Sequence, residues 1–230
     1  MFKKIILASS SPRRKEILER LGLHFEICSP DADETCNEEI KPWDYVCTLS
    51  RRKADAVKEK YAGENDVLII ACDTVVVYGG HIIGKPESEM HAHVTLGLLA
   101  DSYHDVYSGL TLIGDGKILC ESARTRVKMR DYSESDIEKY VASGEPMGKA
   151  GSYAIQGLGS ALVVGLFVTY ISFFQSQIQS SADWTPDVMD APAPNKNANE
   201  PFLLCLKDLK KASKSILNCF SSIVLNPLFV

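Results

Sequence analysis

The chain predicts an α/β fold, because apolar runs short enough for buried strands alternate with stretches of helical periodicity. Ile5-Ile6-Leu7 is followed by residues 15–21, where Ile17, Leu18 and Leu21 share one helical face. Residues 42–61 repeat the pattern, with Trp43, Val46, Leu49, Ala54, Val57 and Tyr61 near helical spacing. The continuous apolar run Val67-Leu68-Ile69-Ile70-Ala71 then reads as a fully buried strand. At 230 residues and 45% hydrophobic content, the chain is long and apolar enough to bury a proper core.

Composition narrows the function classes. A net charge of -5 argues against nucleic-acid binding, which wants a basic face, but leaves room for a nucleotide pocket with a few local cations. Seven cysteines, with no CxxC pair and no histidine at metal-ligand spacing, read as reduced thiols of a cytoplasmic protein. The apolar run after Lys3-Lys4 is too short for a signal peptide. Residues 161–174 are apolar apart from Thr169 and Ser172, yet shorter than the ~20 residues of a spanning helix. Their β-branched and aromatic content favours a buried strand over a membrane tether, which stays a third and weaker reading of this stretch.

The first strand leads into Ala8-Ser9-Ser10-Ser11-Pro12-Arg13-Arg14, with Pro12 at the first helical position, Ser11 as N-cap and Gly22 as stop. A strand, a small-residue turn and a helix N-terminus gather backbone N–H groups and the hydroxyls of Ser9 and Ser10 into an anion site. Arg13 and Arg14 beside it can fork onto phosphate oxygens. A capped helix with two solvated arginines explains the same stretch. Phe25-Glu26-Ile27-Cys28 reads as a second strand, leading to Asp31-Ala32-Asp33-Glu34. Such acidic turns are usually solvated and matter only beside a cation, since hard divalent metals prefer oxygen ligands. On the helix over 42–61, Arg51, Arg52 and Lys53 fall on or beside the exposed face. Asp73 and Thr74 interrupt an apolar run that ends at Cys72 and resumes at Val75, and a carboxylate so placed needs a partner or a function.

Tyr78-Gly79-Gly80-His81 predicts a hairpin that brings Lys85 back towards Asp73. Residues 91–100 predict a helix with surface histidines, 104–113 and 117–129 two strands, and 133–143 a helix with a Ser133/Asp136 capping box. The glycine-rich loop 144–159 carries Lys149 and Gln156, whose amide offers a donor and an acceptor to a base edge. Residues 1–174 form the predicted domain, 175–201 a linker or disordered stretch rich in Pro and Asn, and 202–230 a terminal segment. Cations and carboxylates without a covalent nucleophile suit phosphoanhydride chemistry.

Five motifs in register then carry a resemblance: Ala8-Ser9-Ser10-Ser11-Pro12-Arg13-Arg14, Arg52-Lys53-Ala54, Ala71-Cys72-Asp73-Thr74-Val75-Val76, Gly84-Lys85-Pro86, and Lys149-Ala150-Gly151-Ser152-Tyr153-Ala154-Ile155-Gln156-Gly157-Leu158-Gly159. Over about residues 3–164 they resemble the Maf family. The resemblance implies a mixed twisted sheet flanked by helices, like that of inosine triphosphatases, with a cleft between two lobes. It implies a nucleoside triphosphate pyrophosphatase, a divalent metal (magnesium or manganese) and often a homodimer. Asp73 matches the family's proton acceptor, and Lys53 and Lys85 match phosphate-side lysines. Arg13, Thr74 and Gln156 match positions tied to substrate choice, and Glu34 the acidic residue near the metal. Ile155-Gln156-Gly157 looks like the branch acting on dTTP and UTP. Whether Asp73 deprotonates the attacking water or holds a metal that acidifies it, the residues leave open.

Two departures accompany the match. Gly148 stands where the family usually has an aspartate. After Leu162-Val163 the family's closing segment is replaced by a different sequence. The second departure motivates an alternative reading, a nucleotide-binding or regulatory protein with weak turnover.

Overall fold

A computed structural model of the chain describes residues 2–35 and 40–169. Strand β1 (Lys4–Ala8) leads to α1 (Pro12–Arg20) and the two-residue β2 (Glu26–Ile27). Helix α2 (Pro42–Lys60), β3 (Val67–Tyr78), β4 (His81–Ile83) and α3 (Glu89–Leu99) follow. Strands β5 (Tyr103–Gly114) and β6 (Lys117–Met129) precede α4 (Glu134–Ala142), two short 3-10 turns, and β7 (Val163–Thr169). Among these residues seven strands form one sheet in the order β2-β1-β3-β5-β6-β7, with β4 paired to β3 off that path. The β2, β1 and β3 pairings are parallel and the others antiparallel, so the α/β expectation holds as a mixed sheet. The expected linker at 175–201 and terminal segment at 202–230 lie outside the described residues.

Alternation along β3 sorts the core onto two faces. Leu68, Ile70 and Cys72 pack with Ile17 and Leu18 of α1, while Val76 packs with Ala92, Leu96, Tyr140 and Val141 of α3 and α4. These two clusters lie on one face and leave a cleft between them. The opposite face, through Ile69, Ala71, Val75 and Val77, receives Val46, Ala54 and Val57 of α2. Gly109 makes that approach close, since a Cβ there would lie 2.4 Å from the Val46 carbonyl oxygen.

The helix ends follow the sequence signals with one exception. Gly22, at φ +71°, closes α1: its N–H donates to the Glu19 carbonyl and that of Leu23 to the Leu18 carbonyl. Ser133 and Asp136 form the expected capping box. Ser11 occupies the N-cap of α1, but its side chain makes no capping bond. The Ser11 N–H itself donates to Ser9 Oγ at 3.2 Å, a bond within the turn that precedes the helix.

Two further expectations change. The strand over 67–77 is not interrupted at Cys72-Asp73-Thr74; β3 runs through it, with Asp73 opposite Gly109 and Thr74 opposite Ser108. Neighbouring strands supply the ladder that the polar residues alone did not suggest. The stretch from 161 does form a strand, β7, but at the sheet edge, where Val164 and Phe167 are exposed and the pairing with β6 carries the element. Among the described residues no helix is long and apolar enough to cross a membrane.

His104 of β5 is 2% exposed, and its Nε2 lies 2.7 Å from the Tyr153 hydroxyl, tying the glycine-rich loop to the sheet. Burial pushes its pKa down to about 4. The unfolded chain protonates this histidine near pH 6.5, so between those values the unfolded state binds more protons and stability falls as pH drops. A shift of that size is worth about 3 kcal/mol. Urea midpoints at pH 7 and pH 4.5 should therefore differ more for the wild type than for His104→Asn. Gly109→Ala should cost about 1–3 kcal/mol by forcing α2 off the sheet, read as a fall of several degrees in Tm.

Candidate active site

The site forms where β1 stops. β1 pairs with β3 only as far as Ala8 opposite Ala71, and β4 joins the same edge at Val76. Residues 72–75 of β3 therefore have no partner strand on that side, and the carboxyl end of β1 opens beside them. Ligands in α/β sheets bind at such strand ends. A cavity of about 600 Å³ occupies the place, lined by the 8–14 turn, Glu34, Lys53, Asp73, Thr74, Lys85 and the 147–150 loop.

At its centre the Lys53 ammonium lies 2.6 Å from Asp73 Oδ1 and 2.8 Å from Glu34 Oε1. Lys53 and Asp73 are both buried, 8% and 7% exposed, so the periodicity-based placement of Lys53 near the exposed face is corrected. It lies on the flank of α2 that Gly109 brings against the sheet, and its stem is covered while its head meets two acids. Burial raises the pKa of Asp73 in spite of the attraction of Lys53. Glu34, more exposed, is held below its ordinary range by its hydrogen bond to the same ammonium. Lys85 Nζ is 3.8 Å from Glu34 Oε2; the hairpin places it on the same cavity as Asp73, with Glu34 as its ion-pair partner.

The 8–14 turn supplies the opposite wall. Ser9 is buried and its Oγ accepts from Arg14 Nη1 at 3.1 Å, while Ser10 is exposed to the cavity mouth. Arg13 and Arg14 are half-buried, and burial together with Arg14 lowers the pKa of Arg13. Burial and Arg13 likewise lower Lys149. Cations crowded this way are relieved by an anion between them. The Gly151 N–H donates to the Gly84 carbonyl at 3.1 Å, which ties the loops of Lys149 and Lys85 together. Gly148, at φ +73°, lines the cavity with nothing near a would-be Cβ, so the space for the missing aspartate is open. Val76, Val106 and Tyr153 add an apolar wall suited to a flat ring.

Of the residues singled out from sequence, Ser9, Ser10, Arg13, Arg14, Glu34, Lys53, Asp73, Thr74, Lys85 and Lys149 all line this cavity. Gln156 is half-buried in the loop beyond Tyr153 and does not line it. Sequence reading missed Tyr140, Glu145 and His104, whose hydrogen bonds hold that loop; a carboxylate set inside a glycine-rich loop was the one available signal. Glu34 and Asp73 are the hard oxygen donors of the cavity, and the position on which both converge is taken by the Lys53 ammonium. Among the described residues no three His, Cys, Asp or Glu side chains are placed to hold a metal by themselves.

The family model for Maf-like proteins matches residues 4–171. The dTTP/UTP pyrophosphatase of Dictyoglomus turgidum (strain DSM 6724 / Z-1310) is 47% identical over 166 residues, 71% of this chain and 84% of that protein. The dTTP/UTP pyrophosphatase of Bacillus thuringiensis subsp. konkukian (strain 97-27) is 43% identical over 170 residues, 74% of this chain and 87% of that one. Among solved structures, the Staphylococcus aureus Ham1 protein gives a TM-score of 0.39 at 13% identity, over 56% of this chain and 73% of that one. That likeness is too distant to carry weight beside the family match, which runs through the same motifs that build the cavity. The chain belongs to the Maf family.

Proposed function

We propose that the chain hydrolyses dTTP and UTP to the nucleoside monophosphate and pyrophosphate. The observation that carries this reading is Asp73: a buried carboxylate, raised in pKa, held by Lys53 in a cavity ringed by cations from separate segments. A triphosphate would bring negative charge among Arg13, Arg14, Lys85 and Lys149, which line the same cavity. The apolar wall of Val76, Val106 and Tyr153 leaves room for the base. The relatives named dTTP/UTP pyrophosphatases support the choice of nucleotide.

The chemistry follows from what these residues can do. A water oxygen bonds to the α-phosphorus, the bond from that phosphorus to the bridging oxygen breaks, and pyrophosphate leaves with the electron pair. Asp73 accepts the proton of the water, and its raised pKa makes it a better base than an ordinary carboxylate. Lys53 keeps that carboxylate oriented. Lys85, Lys149 and the arginines stabilise the charge that grows on the leaving pyrophosphate. A divalent metal, held by Glu34 and Asp73, would supply Lewis-acid stabilisation of the same phosphate oxygens. Arg13, Thr74 and Gln156 are the residues we assign to substrate choice, with Ser9 and Ser10 on the phosphates.

A homodimer and a cytoplasmic location belong to the same reading on the family resemblance, and the net charge of -5 disfavours nucleic acid as a partner. The alternative, nucleotide binding with weak turnover, drew on the replaced segment after Val163. Residues 163–169 of that segment pair with β6 as an edge strand, which weakens its motive.

Pyrophosphate release should be selective for dTTP and UTP over other nucleoside triphosphates with magnesium present. Asp73→Asn should lower kcat by roughly 10²–10⁴-fold, the usual worth of a general base. Full activity in that variant would remove Asp73 from the proposed role. Nucleotide binding by a folded wild type without turnover would favour the alternative.

A further inference from the structure

Two cysteines at the seam between α2 and the sheet take no part in the chemistry above. Cys47 lies on the second turn of α2, and Cys120 of β6 stands opposite Thr111 of β5. The two thiols meet as hydrogen-bond partners. Cys120 Sγ also donates to the Cys47 carbonyl at 3.8 Å and accepts from the Thr111 hydroxyl at 3.3 Å. Ser50, one turn further along α2, donates to the same Cys47 carbonyl at 3.0 Å and lies 2.8 Å from Thr111 Oγ1.

The close approach has the same cause as the burial of Lys53. A Cβ on Gly109 would fall 2.4 Å from the Val46 carbonyl oxygen and 2.9 Å from the Cys47 nitrogen. That glycine lets the Cys47 turn settle onto β5, and β6 is the next strand over. Both cysteines are half-buried, which leaves them within reach of a small oxidant. Cys72 is enclosed by contrast, and burial pushes its thiol up to about 11. Hydrogen bonds, that of Cys47 foremost, lower the pKa of Cys120, while the Cys120 sulfur holds the proton on Cys47. A thiolate beside a resolving thiol is the arrangement that carries a first oxidation on to a disulfide.

We propose that Cys47 and Cys120 form a redox modification site: hydrogen peroxide converts them to a disulfide that draws α2 towards β6 and away from Asp73. The Cys120 sulfur attacks one peroxide oxygen, the O–O bond breaks, and water leaves with a sulfenic acid formed on Cys120. The Cys47 sulfur then attacks the Cys120 sulfur, the S–O bond breaks and a second water leaves. Two thiols lose two electrons, one peroxide gains them, and both thiol protons end in the waters. A disulfide holds its sulfurs about 2.05 Å apart, nearer than any hydrogen-bonded contact, so the helix turn must follow. In the strand order β3, β5, β6, movement towards β6 is movement away from β3. There Lys53, on the same helix as Cys47, holds Asp73 at 2.6 Å. The loss of turnover expected from that movement rests on the pyrophosphatase reading; formation of the bond does not.

The test treats the full chain, as wild type, Cys47→Ser and Cys120→Ser, with hydrogen peroxide. Disulfides are mapped by peptide mass without reduction, beside dTTP turnover and amide exchange across α2. The wild type should yield a peptide joining Cys47 to Cys120, with kcat lowered about tenfold, within the scale of a small misplacement near a reacting centre. A thiol reductant should restore it. Either serine variant should yield no such peptide and keep its turnover through the same treatment. The wild-type map decides the bond even if neither variant folds. Oxidation without a Cys47–Cys120 peptide overturns the site. That peptide with unchanged kcat overturns the displacement of α2, and the proposal with it. A reduced wild type that turns over no dTTP counts against the pyrophosphatase reading instead. Faster amide exchange across α2 on oxidation would then still support the displacement, and unchanged exchange would overturn it.

Discussion

The ion pair between Lys53 and Asp73 is the constraint around which the site is arranged. A carboxylate in the middle of a sheet carries a desolvation cost that only a close, well-placed cation offsets. Supplying that cation fixes where α2 must lie, and α2 reaches the position because Gly109, directly across the ladder from Asp73, removes the side chain that would hold it away. The arrangement keeps a charged pair, where an apolar pair would pack as well and fold as stably. A carboxylate that is buried, raised in pKa and still able to meet solvent through a cavity is an expensive thing to maintain for stability alone.

The sheet's pairing pattern explains why the cavity is there at all. β1 ends opposite Ala71, β4 ends opposite Val76, and the gap between them exposes the part of β3 that carries Asp73 and Thr74. On one face the gap is flanked by the cluster around α1 and the cluster around α3 and α4, which do not merge. Each flank contributes cations: Arg13 and Arg14 from the first turn of α1, Lys85 and Lys149 from loops beside the second cluster. The chain as a whole is acidic, so this concentration of positive charge is local and owed to topology. A local concentration of this kind raises the potential at one point while the surface as a whole stays acidic.

Edge strand β7 shows how the fold absorbs an altered sequence. Pairing with β6 from Val163 to Thr169 needs backbone groups and one apolar face, and many sequences provide both. The exposed Val164 and Phe167 are the cost of that tolerance, because an edge strand buries only part of its side chains. The cavity lies on the far side of β3 and β5 from this edge.

What the sequence determined by itself was local. The strand-turn-helix at 4–20, the glycine stop at Gly22, the Ser133 capping box and the glycine-rich loop are set by neighbours within a few positions, where propensity and hydrogen bonding act without help. Asp73 was legible because a carboxylate in an apolar run is costly wherever it lies. Lys53 was not: periodicity put it beside the exposed face of its helix, and only the meeting of α2 with β3, twenty residues on, buries it. His104 was equally silent, since its partner Tyr153 stands 49 residues away, and Glu145 nearly so, with two of its partners 13 and 14 residues on. Ser11 does stand at the N-cap, but its side chain makes no capping bond, while its N–H is drawn to Ser9. Local chemistry chose which residues could bind a phosphate. Tertiary packing decided which of them share one cavity, because burial and long-range hydrogen bonds exist only once the sheet has closed.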